Sequence, residues 1–252
     1  MIAAYRKALS IRKRQAERIR LPLLALALLS SCCQSAWALC GDEVLRAKQT
    51  AERIDQEWPV RTAGDAVSAY LQSLGQRLAP SQSVLDIGRY VTYDWPEHWL
   101  FRAVRDKSAN AFSIGNGRTY VTDGVILAAE NEAQVAAILA HEMGHQLAAH
   151  FCGDSDEGYA PSRMVGSLAQ AMDVRKEMEA DGMALAILTA AGYPASAMLD
   201  AIAKMPSNDP NSQRQRQRRI QALHNELPNY DVLPVPPSSG GFAQVKALLQ
   251  RQ

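Results

Sequence analysis

The 252-residue sequence has little cysteine (4) and few aromatic residues (6%), and its net charge is close to zero at +1. Four cysteines are too few for a disulfide-built scaffold. No internal repeat is visible, which excludes a solenoid or propeller. No run of about 18 apolar residues occurs beyond the first 40 positions, so no transmembrane helix is expected in the body of the chain. Hydrophobic residues make up 47% and charged residues 21%, the balance of a chain that folds around a core.

The near-neutral charge hides an asymmetry. Residues 1–38 carry Arg6, Lys7, Arg12, Lys13, Arg14, Arg18 and Arg20 against the single acid Glu17. Residues 39–252 keep 20 of the 27 basic and 25 of the 26 acidic side chains, a net charge of −5. An acidic body argues against nucleic-acid binding, which relies on neutralising phosphates. The basic stretch is followed by an apolar run, Leu21–Leu29, and a small-residue end at Ala36-Trp37-Ala38. That layout predicts a secretory leader cleaved after Ala38, and an exported protein of the bacterial periplasm or envelope. Two variants stay open: Leu29-Ser30-Ser31-Cys32 resembles a lipobox, with Cys32 lipidated, and Leu21–Cys40 is uncharged enough for an uncleaved anchor. Membrane association is expected only through this leader or lipid. Cleavage after Ala38 would leave Cys40 and Cys152, expected as a disulfide in an oxidising compartment, with two free thiols as the alternative.

Periodicity divides residues 39–252, expected to be one domain, into a helical start, a short-strand region and a helical half. Residues 42–57 and 62–78 place apolar side chains three and four apart, the pattern of amphipathic helices. Residues 87–94, 100–104, 110–114 and 118–122 are short, β-branched or aromatic segments, read as one small antiparallel or mixed sheet. Gly115-Asn116-Gly117 is expected to turn the last two into a hairpin. Helical patterns return over 131–150, 161–191, 195–204, 213–224 and 242–249, with an irregular proline-rich tail from about 228. The fold class is therefore α+β, mostly helical, with a small sheet.

The chemistry is concentrated in His141-Glu142-Met143-Gly144-His145, an H-E-x-x-H pattern inside a predicted helix. Residues i and i+4 of a helix differ by about 40° in direction, so both imidazoles share one face and can bind one Zn²⁺. Glu142 sits beside them as a base for a water. A third ligand is needed to leave one position open. Metzincins place His six residues after the second motif His, where this chain has Phe151, so that subclass is excluded. Glu177 and Asp181, at i and i+4 on a later helix, supply a third ligand and a carboxylate able to accept the other N–H of a ligating His. His98 reads as a loop or packing residue, His150 as facing core or solvent, and His224 as a helix-end cation. Arg214, Arg216, Arg218 and Arg219 alternate with Gln and read as a solvated helix face.

Together with Asn110-Ala111-Phe112, Tyr120-Val121, Gly124, His150 and Ala191-Gly192-Tyr193-Pro194, these motifs resemble metallopeptidase family forty-eight from about Asp65 to Ala201. That group holds HtpX, the type I CAAX prenyl proteases and the BepA- and LoiP-like periplasmic zinc proteases; the short, exported LoiP-like members resemble this chain best. The resemblance implies a zincin-type (gluzincin) fold with the sheet beside the H-E-x-x-H helix. It implies one Zn²⁺ per chain on His141, His145 and Glu177, with Glu142 as base and Asp181 behind the ligands. It further implies hydrolysis of peptide bonds in misfolded or immature envelope proteins, with unfolded chains and outer-membrane assembly machinery as partners. Many relatives carry a His-Pro pair and then Arg-Ile, where this chain has Asn208-Asp209-Pro210 and Arg219-Ile220, which leaves the roles of Asp209 and Arg219 open. A non-proteolytic or latent assembly factor that keeps the zinc fold is the alternative. Sequence-tolerant binding of unfolded chains is best supplied by a strand edge, so the strand at Asn110 and Ala111 is expected to pair with extended substrate through its backbone.

Overall fold

The computed structural model describes residues 38–79, 99–151, 174–204 and 210–252. The leader, the predicted strand at 87–94, His98, Cys152 and Asp209 lie outside the described residues, and the Cys40–Cys152 pairing with them. The described elements are α1 (Ala38–Glu57), α2 (Ala66–Leu78), β1 (Leu100–Val104), β2 (Ala111–Gly115), β3 (Arg118–Thr122), α3 (Asp123–Ala128) and α4 (Glu132–Leu147). They continue with α5 (Val174–Ala190), α6 (Ala197–Lys204), α7 (Pro210–Glu226) and α8 (Gly240–Gln250). This is the mostly helical arrangement with a small mixed sheet that the patterning implies. No described helix is long and apolar enough to cross a membrane.

Helix starts fall where side chains can satisfy the first free N–H groups. Asp65 accepts from Val67 N at 2.9 Å and opens α2 four residues later than the periodicity suggests. Asn131 accepts from Gln134 N at 3.1 Å and opens α4. The first residue of α4, Glu132, is a buried anchor: its carboxylate accepts from Arg77 Nη2 at 2.7 Å, Tyr193 OH at 2.8 Å and the Ser239 hydroxyl. Those three partners belong to α2, the turn before α6 and the cap of α8, so the start of α4 is fixed from three sides. Every residue of α4 except Gln146 is buried. A helix with apolar or partnered residues all round belongs in the middle of a core, and α4 is that middle.

The sheet order is β1-β3-β2, with β1 parallel and β2 antiparallel to β3. Gly115, Asn116 and Gly117 all take positive φ (84°, 46° and 72°), the left-handed backbone that glycine favours and that the tight hairpin requires. One face of the sheet packs Phe112, Ile114 and Tyr120 against Ile54 and Ala51 of α1, with Phe112 stacked on Tyr120 at 5.4 Å. The opposite face turns Ala111 and Val121 towards the core formed by α2, α4 and α5. The two sheet edges differ. The outer edge of β1 is covered by the segment at Val60, with Arg61 N donating to Ala103 O at 2.8 Å and Arg105 N to Pro59 O at 3.0 Å. Among the described residues β2 has a strand neighbour on one side only, β3.

Candidate metal centre

His141 and His145 lie one turn apart on α4, and their Nε2 atoms stand 3.0 Å apart. Glu177, in the first turn of α5, brings Oε2 to 3.4 Å from His141 Nε2 and Oε1 to 3.5 Å from His145 Nε2. All three side chains are buried. Four-coordinate bonds of 2.0–2.1 Å to a central ion would set neighbouring ligand atoms about 3.4 Å apart, so these spacings suit one shared metal ion. The helices approach this closely because of Gly144. A Cβ there would lie 2.6 Å from the carbonyl oxygen of Ala180, so only glycine lets α4 rest against α5 at the level of the ligands.

The ligands are oriented from behind. His141 Nδ1 lies 2.9 Å from Asp181 Oδ1, and Asp181 in turn takes a two-pronged bond from Arg219, with Nε at 2.8 Å and Nη2 at 2.7 Å. The third nitrogen of the same guanidinium, Nη1, is 2.9 Å from Glu177 Oε2. Arg219 therefore holds Glu177 and Asp181 of α5 together with one planar group, a task that suits its rigid fork. On the other imidazole, His145 Nδ1 stands 2.8 Å from His150 Nδ1, and His150 Nε2 is 3.4 Å from Glu179 Oε2. Helix α4 stops at Leu147, earlier than the predicted 150; Ala149 turns left-handed (φ 53°), and His150 N donates to His145 O at 3.0 Å. That turn folds the His150 ring back over the ligand.

The charges are arranged for a cation. Among the described residues Glu142, Glu177 and Asp181 are buried at the site with Arg219 as the buried guanidinium beside them, a carboxylate-rich setting that suits a cation. Burial favours a neutral His141, yet Asp181 and Glu177 outweigh it and push the ring up to about 9. Burial and the neighbouring His141 hold His145 well below the usual histidine range. Burial resists ionisation of Glu177 and Asp181, but His141 holds the first and Arg219 the second below the carboxylate range. Glu142 goes the other way: burial pushes its carboxyl up, with His141 opposing.

The structure thus brings together His141, His145, Glu177 and Asp181, with Glu142 on the same helix. Arg219 is a correction: it is buried against the site, not on a solvated face, whereas Arg214 and Arg218 of the same helix are exposed. His150 is corrected too, from a core or solvent residue to the partner of His145. His224 is exposed on α7. At the strand, Asn110 O accepts from Thr122 N and Oγ1, both at 2.9 Å, and Asn110 N donates to Thr122 Oγ1 at 2.8 Å. The Asn110 backbone therefore faces β3. In an antiparallel pair the next residue faces the other way, so Ala111 and Ser113 turn their backbone groups to the outer edge.

Comparison with known proteins agrees with this geometry. Residues 66–156 match the profile of Peptidase family M48, a stretch that includes His141, Glu142 and His145 but ends before Glu177 and Arg219. The mitochondrial metalloendopeptidase OMA1 of Schizosaccharomyces pombe is 30% identical over 105 residues, covering 38% of this chain and 31% of that protein. A putative beta-barrel assembly-enhancing protease of Vibrio cholerae is 26% identical over 161 residues, covering 52% of this chain and 31% of that protein. The chain spans about a third of the length of these relatives.

Proposed function

We propose, from the match of residues 66–156 to peptidase family M48 and the buried His-His-Glu group, that this chain is a zinc-dependent endopeptidase. The observation that carries the reading is the set of three ligand side chains whose donor atoms approach one another to 3.0, 3.4 and 3.5 Å, with Glu142 next to the first ligand. His141, His145 and Glu177 would hold the ion, whose nitrogen-rich site suits zinc. When bound, zinc supplies a Lewis acid that makes water acidic near neutral pH and polarises a carbonyl. Glu142 takes the proton of the attacking water at its carboxylate. Its upward shift on burial brings it closer to the operating pH, where a base that must also return a proton works best. As the new C–O bond forms and the C–N bond breaks, Glu142 delivers that proton to the leaving amine nitrogen. Asp181, Arg219 and His150 hold the ligands in orientation and leave no imidazole free to turn.

The substrate in this reading is an extended, misfolded or immature chain of the cell envelope. Two features support it: the basic-apolar-small leader at 1–38, and the assembly-enhancing role in the name of the Vibrio cholerae relative. Strand β2, which carries Ala111 of the expected substrate-pairing pair Asn110 and Ala111, lies against the metal helix, the Ser113 hydroxyl donating to Glu142 O at 2.9 Å. The test is cleavage of an unfolded protein by the wild type, chelator-treated protein and Glu142→Gln, with metal counted in each. Cleavage that is lost with chelator and with Glu142→Gln is the expected result. A metal-loaded wild type that binds unfolded chains without cutting them would favour the non-proteolytic alternative.

A further inference from the structure

Helices α2 and α8 run antiparallel to each other. Arg77 near the end of α2 and Ser239 at the start of α8 both hold Glu132. At the other end Gln252, just past α8, accepts from Arg61, which also binds Asp65, the cap of α2. Gly241 brings α8 close to α2 at Tyr70, where a Cβ would lie 3.3 Å from the ring. Beyond that contact the helices do not close. The side of α2 that faces α8 carries Ala66, Tyr70, Ser73 and Arg77, one stripe of a helix, and two of the four are too small to reach across. A cleft of about 540 Å³ is left between the two helices.

The cleft has an apolar middle and polar groups towards its ends. Val245 and Leu248 of α8 form the wall opposite Tyr70, Ser73 and Gln244 add a hydroxyl and an amide, and none of the lining residues is acidic. Two cations stand at opposite ends. Arg77 is neutralised, with Nη2 2.7 Å from Glu132 Oε1. Arg251 is exposed, and its guanidinium has no ion-pair partner among the described residues. The unbalanced charge of the cleft is therefore positive and sits at the Arg251 end. Apolar walls with a few placed polar groups and a volume of this size are the make-up of a small-ligand site. From Gly241 to Arg251 the helix rises about 15 Å, the length of about four or five residues of extended chain. A fatty acid would match the cation and the apolar middle but would lay its tail against Ser73 and Arg77. An extended peptide meets all three features, since its backbone needs donors and acceptors along its length and its last residue carries an anion.

We propose that the cleft between α2 and α8 binds the C-terminal end of an extended peptide, with its free carboxylate on Arg251 and an apolar side chain seated on Tyr70, Val245 and Leu248. The backbone ahead of the carboxylate exchanges hydrogen bonds with Gln244 and Ser73. None of these residues is a metal ligand or holds one, so the site is separate from the metal centre and stands whether or not the chain is a peptidase.

The test measures, by fluorescence anisotropy, binding of a labelled tetrapeptide of alanine, valine and leucine with a free C-terminal carboxylate, and of the same peptide with a C-terminal amide. The full chain is used as wild type and as Glu142→Gln, the second keeping the peptide intact should the first cut it. The acid should bind about fivefold more tightly than the amide at low salt, a gap that added salt narrows, as befits a charge pair with an exposed guanidinium. Arg251→Gln should abolish that preference and leave the affinity for the amide unchanged. Ser73→Trp, at an exposed position where the new ring fills the cleft, should weaken both forms about tenfold or more at an unchanged Tm. Equal affinity for acid and amide, a preference that survives Arg251→Gln, or binding untouched by a folded Ser73→Trp would each overturn the proposal. Tighter binding of laurate than of the peptide acid would assign the cleft to a lipid and overturn it as well. Should Ser73→Trp fail to fold, the acid and amide pair with Arg251→Gln decides.

Discussion

The two ligating imidazoles are held from behind in different ways. Behind His141 stands Asp181, itself gripped by both prongs of Arg219, all of it buried and drawn from α4, α5 and α7. Behind His145 stands His150, five residues past the motif after a left-handed turn, leaning on the half-exposed Glu179. The first arm is charged, crosses three helices and also holds Glu177; the second is a single ring on a loop. The difference shows that orientation of a metal ligand and cohesion of the helices are one task on the His141 side. They are separate tasks on the His145 side.

The largest expected effect is therefore Asp181→Ala. It leaves Arg219 buried without its partner and His141 without its orienting carboxylate. Breaking a buried pair of this kind costs about 3–5 kcal/mol, and loss of such a partner weakens metal binding about 10- to 100-fold. Chemical denaturation and zinc titration check both numbers, and a stable variant with full zinc affinity would erase the contrast between the arms. Next comes Gly144→Ala, which strikes both arms at once by pressing a methyl on the Ala180 carbonyl. Overpacking of this kind costs about 1–3 kcal/mol and should part Glu177 from the histidines, read as lost zinc at unchanged helix content. His150→Ala should cost less, about 1 kcal/mol for one hydrogen-bonded contact, with zinc weakened towards the lower end of the range for Asp181→Ala. If His150→Ala weakens zinc more than Asp181→Ala does, the ranking of the arms is reversed. The smallest effect belongs to Ala149→Gly. Relief of left-handed strain at φ 53°, offset by a more flexible unfolded chain, should stabilise the protein by about 0.5 kcal/mol, seen as a small rise in Tm.

The same contrast explains what could be read without a structure. His141 and His145, and then Glu177 and Asp181, stand at i and i+4, and a helix alone places each pair on one face. Their meeting needs only that the two helices pack, which Gly144 announces. Arg219 has no such local mark. It sits among solvated Arg and Gln and 38 residues from Asp181, and the signals available were its i,i+4 relation to the buried Leu223 and the Arg219-Ile220 pair that resembles the Arg-Ile pair of relatives. His150 follows His145 at a spacing no helix face supports, and its role depends on Ala149 leaving the helix. The three strands were legible from their β-branched and aromatic character, but the parallel pairing of β1 with β3 was not, because it depends on the crossing of the chain rather than on local pattern.

The central claim is that His141, His145 and Glu177 hold one ion and that Glu142 works beside it without holding it. Zinc per chain, measured by elemental analysis on folded wild type, Glu142→Gln, Glu177→Ala and Glu179→Ala together with peptide cleavage, tests this most directly. The account predicts one zinc in wild type, Glu142→Gln and Glu179→Ala, no turnover in Glu142→Gln, and loss of both zinc and turnover in Glu177→Ala. A Glu177→Ala variant that keeps its zinc and its activity while Glu179→Ala loses both would contradict it.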